Sequence, residues 1–406
     1  MASVLPMPVR TAAGRTHAAP GARPKRAHLP QVDLMRIIPM LAVLGVHVTI
    51  FTQPATAVGA QGLTVLLHTS RFAFFFITSF VLFYSYGSAP IRLLSFWRKR
   101  FPPILLPYVA WTLIYWQFNR WLPWGGFPST FPASLGQLGQ DLAQGWFQLY
   151  FLLVTMQFYL VFPLVAWLVR RLRGHHLHLL LVSAALELAW LAMMQYGWSS
   201  LPGVLQAVYS QAQVELPSYQ FFFVAGGLAA AHMTEIAAWL RRHVWGLTLA
   251  AIGLVALGWA LYAMNLLLGE APATAAGVFQ PAALAMFGGS MLGLGLIAQR
   301  FADTRPPAGR FWRFFGWAGE ISFGIYLSHM ISLQLLSLPA VQSALRLDQL
   351  PVPLTGVAVW ALTVAGSVVL VTTLRHLPLA TILTGRPRRR LPRWRRSRPT
   401  SSALAS

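Results

Sequence analysis

The 406-residue chain contains no cysteine. Disulfides, a thiol nucleophile and cysteine–metal sites are therefore excluded. Acid is almost as scarce: nine Asp and Glu stand against 31 Lys and Arg, a formal net charge of +22. Charged residues of both signs make up only 10% of the chain, whereas 56% is hydrophobic. So few charges cannot give a soluble core of this size a polar surface. The composition reads as an all-α polytopic membrane protein. The positive excess does not describe a nucleic-acid-binding face, because the arginines sit in short clusters between apolar runs, as in membrane topology. No Walker loop, no GxGxxG after a strand and no GxSxG elbow is present. No internal repeat is visible, which speaks against common transporter architectures. No loop is long enough for an appended soluble domain.

Ten apolar runs have spanning length: 34–53, 65–87, 101–118, 146–169, 177–196, 217–234, 244–268, 279–299, 316–338 and 352–374. The basic residues alternate between them. One set of connections carries Arg92, Arg98, Lys99 and Arg100, then Arg170, Arg171 and Arg173, then Arg241 and Arg242, then Arg300, Arg305, Arg310 and Arg313, together with both chain ends. The other set carries only Arg120 and Arg346. The positive-inside rule then predicts about ten transmembrane helices with both termini cytoplasmic, in the plasma membrane. Residues 1–30 are basic and Ala/Pro-rich without an apolar h-region, so they do not read as a cleaved signal peptide. Residues 31–376 form the membrane domain. Residues 377–406 form an Arg/Pro-rich cytoplasmic tail, read as disordered from 385 onward and in contact with anionic lipid.

Within the first run, VDLMRIIPMLAVLGVHVTIF, Asp33, Arg36 and His47 stand out. Arg36 and His47 are eleven residues apart, about 20° past three full turns at 100° per residue, so they share one helix face about 16 Å apart. An ionisable residue inside a span costs roughly 2.5–3.5 kcal/mol on insertion scales and usually marks a function. A guanidinium at the cytoplasmic end suits a phosphate or carboxylate. Asp33 can orient it as an i,i+3 partner. An imidazole in a buried apolar site favours the neutral, base-competent form. His68 and Arg71 share a face of the second span at a depth comparable with His47. Arg71 there needs an acceptor, with Glu187, Glu215 or a substrate group as candidates. Tyr326 and His329 lie i,i+3 on the ninth span near the same level. Glu187 is the only carboxylate well inside a span, either a counter-ion or a proton acceptor. The Trp-, Gly- and Gln-rich stretches 119–145 and 197–216 read as an interfacial belt or as the lining of an outer vestibule.

At these residues the chain resembles the acyltransferase family 3 of integral membrane O-acyltransferases. Asp33, Arg36 and His47 match its Asp-x-x-Arg…His first span. Arg71, Phe75, Phe76 and Ser79 resemble its second-span motif. Arg100, Pro107 and Tyr108 resemble its basic entry to span three. The stretch 149–163 resembles its aromatic segment, and Ser322, Ile325, Tyr326, Leu327 and His329 resemble its late motif. The middle patches lean toward the branch that modifies surface polysaccharides. Two departures stand out: Phe80 replaces a Gly after Ser79, and Pro103 replaces a second basic residue after Arg100. The resemblance implies a ten-helix core and acyl-CoA, usually acetyl-CoA, as a cytosolic cosubstrate without a metal. It also implies a lipid-linked or extracytoplasmic carbohydrate as acceptor. It assigns Arg36 and Arg100 to the CoA phosphates and His47 to general base catalysis or acyl relay. Arg71, His68, Tyr326, His329 and Glu187 fall on the acceptor side. The competing reading is a transporter or flippase for a glycan or lipid, with the same residues lining a permeation path.

Overall fold

The computed structural model describes residues 28–87, 90–123, 130–197, 201–203, 206, 210–306 and 309–389. The basic segment 1–27, the end of the tail from 390 and part of the 197–216 stretch lie outside the described residues. No strand occurs among the described residues. Hydrocarbon offers the backbone no water, so each segment satisfies its own N–H and C=O groups along a helix. The principal helices are α1 (Pro30–Thr52), α2 (Val58–Leu67), α3 (Thr69–Tyr86), α4 (Leu93–Arg100), α5 (Pro102–Phe118), α6 (Phe131–Gln144), α7 (Tyr150–Arg171) and α8 (His176–Ala192). They continue with α9 (Gln220–Ala231), α10 (Met233–Arg242), α11 (Val244–Leu267), α12 (Ala282–Thr304), α13 (Arg310–Leu336), α14 (Val352–Leu374) and α15 (Ala380–Thr384).

All ten runs read from the sequence fall on helices, but fewer meet the length and hydropathy of a membrane span. Among the described residues seven helical segments do so, or eight if the pair Leu216–Ala231 and Met233–Arg242, bent by 86°, is one span. The difference has a physical origin. Helix α5 has 17 residues, about 26 Å of rise. Helix α13 begins with Arg310 and Arg313 and buries Ser322, Ser328, His329, Ser332 and Gln334, so its hydropathy is diluted by polar groups turned inward. Conversely, Leu164, Trp167, Leu181, Leu186, Trp245, Leu249, Val357 and Val369 are exposed on α7, α8, α11 and α14. A soluble protein does not present such faces; here they meet lipid.

Helices α1, α3, α7 and α13 form the centre. Helix α3 lies against α9, where Gly226 lets the backbones meet: a Cβ there would come 2.1 Å from the Phe76 carbonyl oxygen. Ser79 donates to the Phe223 carbonyl at 2.5 Å across the same contact. The close approach that Phe80 denies to α3 is therefore supplied from α9. The C-terminal segment packs against the membrane helices as far as residue 389. Helix α15 docks on α5, where Trp111 Nε1 donates to the Leu383 carbonyl at 3.0 Å. Residues 386–389 then turn back, and the Arg389 N–H donates to the Arg375 carbonyl at 2.8 Å.

Candidate functional site

Helix α1 brings His47 against His329 of α13, with His47 Nδ1 2.7 Å from His329 Nε2. The rings stack at 4.9 Å with 12° between planes. His329 is fully buried, and its Nδ1 lies 2.7 Å from the Tyr326 carbonyl oxygen. A carbonyl only accepts, so His329 Nδ1 carries a proton. In the neutral ring Nε2 is then a lone pair, and His47 Nδ1–H must be its donor. The lone pair of His47 is thereby fixed on Nε2, the nitrogen left free to take a proton. Neighbouring Phe147 packs its ring 4.8 Å from His47.

His47 opens onto a cavity of about 30 Å³ that it shares with His68, Arg71, Gln148, Tyr150 and Tyr326. That is room for a water or a hydroxyl, not for a whole sugar. The helix breaks between α2 and α3 at His68, where the Thr69 and Ser70 hydroxyls donate to the Leu66 and Leu67 carbonyls. His68 and Arg71 both line this cavity, as their shared helix face predicted. Three buried polar atoms at this cavity have no hydrogen-bond partner: His68 Nδ1, Arg71 Nη1 and Gln148 Oε1. Unpartnered groups of this kind are rare in folded proteins, so three at one cavity point to a ligand.

Among the described residues no carboxylate pairs with Arg71. Its guanidinium lies 4.7 Å from the Tyr150 ring centroid and 5.7 Å from that of Phe279, and the Tyr219 hydroxyl also reaches it. Aromatic faces can hold a desolvated cation and leave the charge unneutralised. Glu187, expected as a counter-ion, instead accepts from Gln220 Nε2 and the Phe221 N–H, both at 3.2 Å. It ties α8 to α9 and does not line the cavity. Tyr326 lines the same cavity, and its hydroxyl donates to the Gln148 carbonyl. Both His329 nitrogens are thus engaged.

At the arginine-rich end Arg36 faces Asp33, Arg386, Tyr159 and Arg100. Asp33 makes its short contact with His28, 2.7 Å from its Nε2, so it lies near Arg36 without forming the expected ion pair. Arg100 lies over the Tyr86 ring at 5.0 Å, and its buried Nε has no partner. Arg386, from the returning C-terminal segment, brings a further cation close to Arg36. Helix α7 serves both groups, with Tyr150 beside Arg71 and Tyr159 beside Arg36 and Arg100.

Sequence reasoning missed Phe147, Gln148, Tyr219 and Arg386. For the first two a local signal existed. Gly145 has φ +77°, and Phe147, two residues on, has φ +42°. A Gly-Trp-Phe turn just before a span marks a chain bent for a purpose, and non-glycine residues with positive φ gather at functional sites. Tyr219 and Arg386 carry no such mark.

A family model described as an acyltransferase domain, the third of that name, matches residues 29–372. No curated protein and no solved structure matches the chain.

Proposed function

Because the chain belongs to this family of membrane acyltransferases over nearly its whole length, we propose that it moves an acetyl group from acetyl-CoA on the cytosolic side to a hydroxyl of a cell-surface or lipid-linked carbohydrate. The membrane is the plasma membrane. The observation that carries the reading is the fixed lone pair on His47 Nε2, facing a cavity that Arg71, with its unpartnered Nη1, also lines.

The donor's phosphates bind Arg36, Arg100 and Arg386. Its thioester reaches the level of His47, about 16 Å further along α1. The acceptor hydroxyl enters from the opposite end and its oxygen attacks the thioester carbonyl carbon. His47 Nε2 takes the hydroxyl proton as the new C–O bond forms. The resulting oxyanion meets Arg71 Nη1–H, a donor already in place and in need of no reorganisation. Collapse breaks the C–S bond, and the His47 proton passes to the leaving thiolate. His329 holds the imidazole in its tautomer throughout, as the carboxylate does in a serine-protease triad. His68 and Gln148 align the acceptor.

The test is release of free thiol from acetyl-CoA by purified protein supplied with candidate glycans. The expected result is acceptor-dependent thiol release that disappears in His47→Ala. A protein that binds or moves glycan without releasing thiol from any acyl-CoA is a transporter, and the proposal then fails.

A further inference from the structure

Beside the donor end, on the far side of Glu320, lies a second basic cavity of about 550 Å³. Its walls include Arg313 and Trp317 of α13, Arg375 after α14, and Arg388 and Arg389 of the returning segment. Four arginines thus face one carboxylate, Glu320. That carboxylate is already engaged: Arg375 Nη1 and Nη2 both approach Glu320 Oε2 at 3.4 Å. Arg375 Nε is buried with no partner.

The C-terminal arginines are held by their own backbone and neighbours. The His376 ring and the Arg388 and Arg389 segment lock together: His376 Nδ1 donates to the Arg389 carbonyl at 3.0 Å, and Arg388 Nε donates to the His376 carbonyl at 2.7 Å. Arg386 Nε donates to the Glu320 carbonyl at 3.3 Å. The Arg375 and Arg388 guanidinium groups are held in this way, and guanidinium forks match phosphate oxygens. Trp317 is exposed on the same wall and offers a face on which a nucleobase can stack. Arg375, Arg388 and Arg389 all lie beyond the residues that the family model matches.

We propose that this cavity is a phosphate-binding site, built by the C-terminal segment, for a phosphate-bearing group at the membrane surface. It is an open surface hollow with room for a phosphate-bearing group. Two sources carry the same chemistry: a soluble nucleotide and an anionic lipid headgroup. The inference does not depend on the identity of the acyl donor or on acyl transfer.

The experiment uses full-length protein in phosphatidylcholine nanodiscs. Calorimetry measures binding of adenosine 3′,5′-bisphosphate and of pyrophosphate to wild type, to Arg313→Gln and to the double variant Arg388→Gln/Arg389→Gln. The expected result is binding by wild type that weakens about 10- to 100-fold in the variants, the loss that goes with hydrogen bonds to a charged group. In parallel, native mass spectrometry counts phosphatidylglycerol retained from mixed nanodiscs. Retention by wild type that falls in the double variant, without nucleotide binding, assigns the site to a lipid headgroup. If neither ligand binds, or both bind equally to all three proteins, the proposal is overturned. The replaced side chains are exposed, and unchanged melting temperatures establish that the variants fold. If the double variant melts lower, Arg313→Gln carries the comparison. Thiol release is not read in any arm, so a failure of the acyltransfer proposal leaves this outcome interpretable.

Discussion

His47 has one hydrogen-bonded neighbour among the described side chains, and that neighbour fixes its chemistry. With His329 Nδ1 committed to a carbonyl, the only neutral arrangement puts the His47 lone pair on Nε2. His47→Ala should lower thiol release by about 10²–10⁴, the usual worth of a general base, with unchanged membrane insertion. Near-normal turnover would remove His47 from the mechanism. His329→Gln should keep much of the rate, because an amide oxygen can still accept from His47 Nδ1–H, whereas His329→Leu should not. Equal rates in the two variants would mean that the contact is packing alone. Arg71→Ala should retain acyl-CoA binding and lose transfer, since its free Nη1 faces the reacting level and not the arginine-rich end. Arg36→Lys should weaken donor binding almost as much as Arg36→Ala, because an ammonium cannot copy a bidentate fork. If donor affinity falls in Arg71→Ala and holds in Arg36→Ala, the two arginines belong to opposite ends from those proposed.

At the scale of elements, the turn before α7 is the feature on which the site depends. It puts the Phe147 ring against His47 and Gln148 into the cavity, and Trp146 stacks on Tyr115 at 4.4 Å. Gly145 makes it possible. Its φ is +77°, and a Cβ there would lie 2.5 Å from the Tyr150 backbone. Gly145→Ala should cost about 1–3 kcal/mol of stability, the scale of a strained backbone position. It should also lower transfer more than donor binding, as read by thermal denaturation and by the two assays side by side. A variant with wild-type transfer would show that the turn does not set the site. The same element explains what was legible in the sequence. Helices and their shared polar faces depend on spacing within one segment, so Arg36 with His47 and His68 with Arg71 were readable. The partner of Arg71 depends on which distant segments pack together. Glu187, Glu215 or a substrate group was expected; the fold surrounds the guanidinium with Tyr150, Tyr219 and Phe279, and an aromatic residue in an apolar run looks the same whether it faces lipid or a cation. Arg386 was unreadable for a similar reason: nothing local distinguishes it from the other arginines of the tail until α15 docks and reverses the chain.

For the whole molecule, the mechanism needs a direction, and direction rests on the arginines. The end that carries Arg36, Arg100 and Arg386 also carries the connections rich in Arg and Lys, and the positive-inside rule predicts that such connections stay in the cytosol. The opposite end carries α6 and the short segment before α14. An absence makes the assignment testable without altering the background, since the chain has no cysteine and each introduced thiol is the only one present. Ser95 and Thr304 are exposed at the arginine-rich end, and Gln140 and Ser343 are exposed at the other. In intact cells an impermeant maleimide should label Gln140→Cys and Ser343→Cys and leave Ser95→Cys and Thr304→Cys unlabelled until the membrane is opened. All four should label after lysis, which shows that each thiol is accessible. Reversed labelling would place Arg36 and Arg100 outside the cell, away from any cytosolic thioester. His47 would then face a donor arriving from the wrong side, and the roles of the two arginine groups would have to be exchanged. Mixed labelling of each site would mean that the arginine bias does not fix one orientation, and the short α5 and the bent α9–α10 pair would be the segments to examine first.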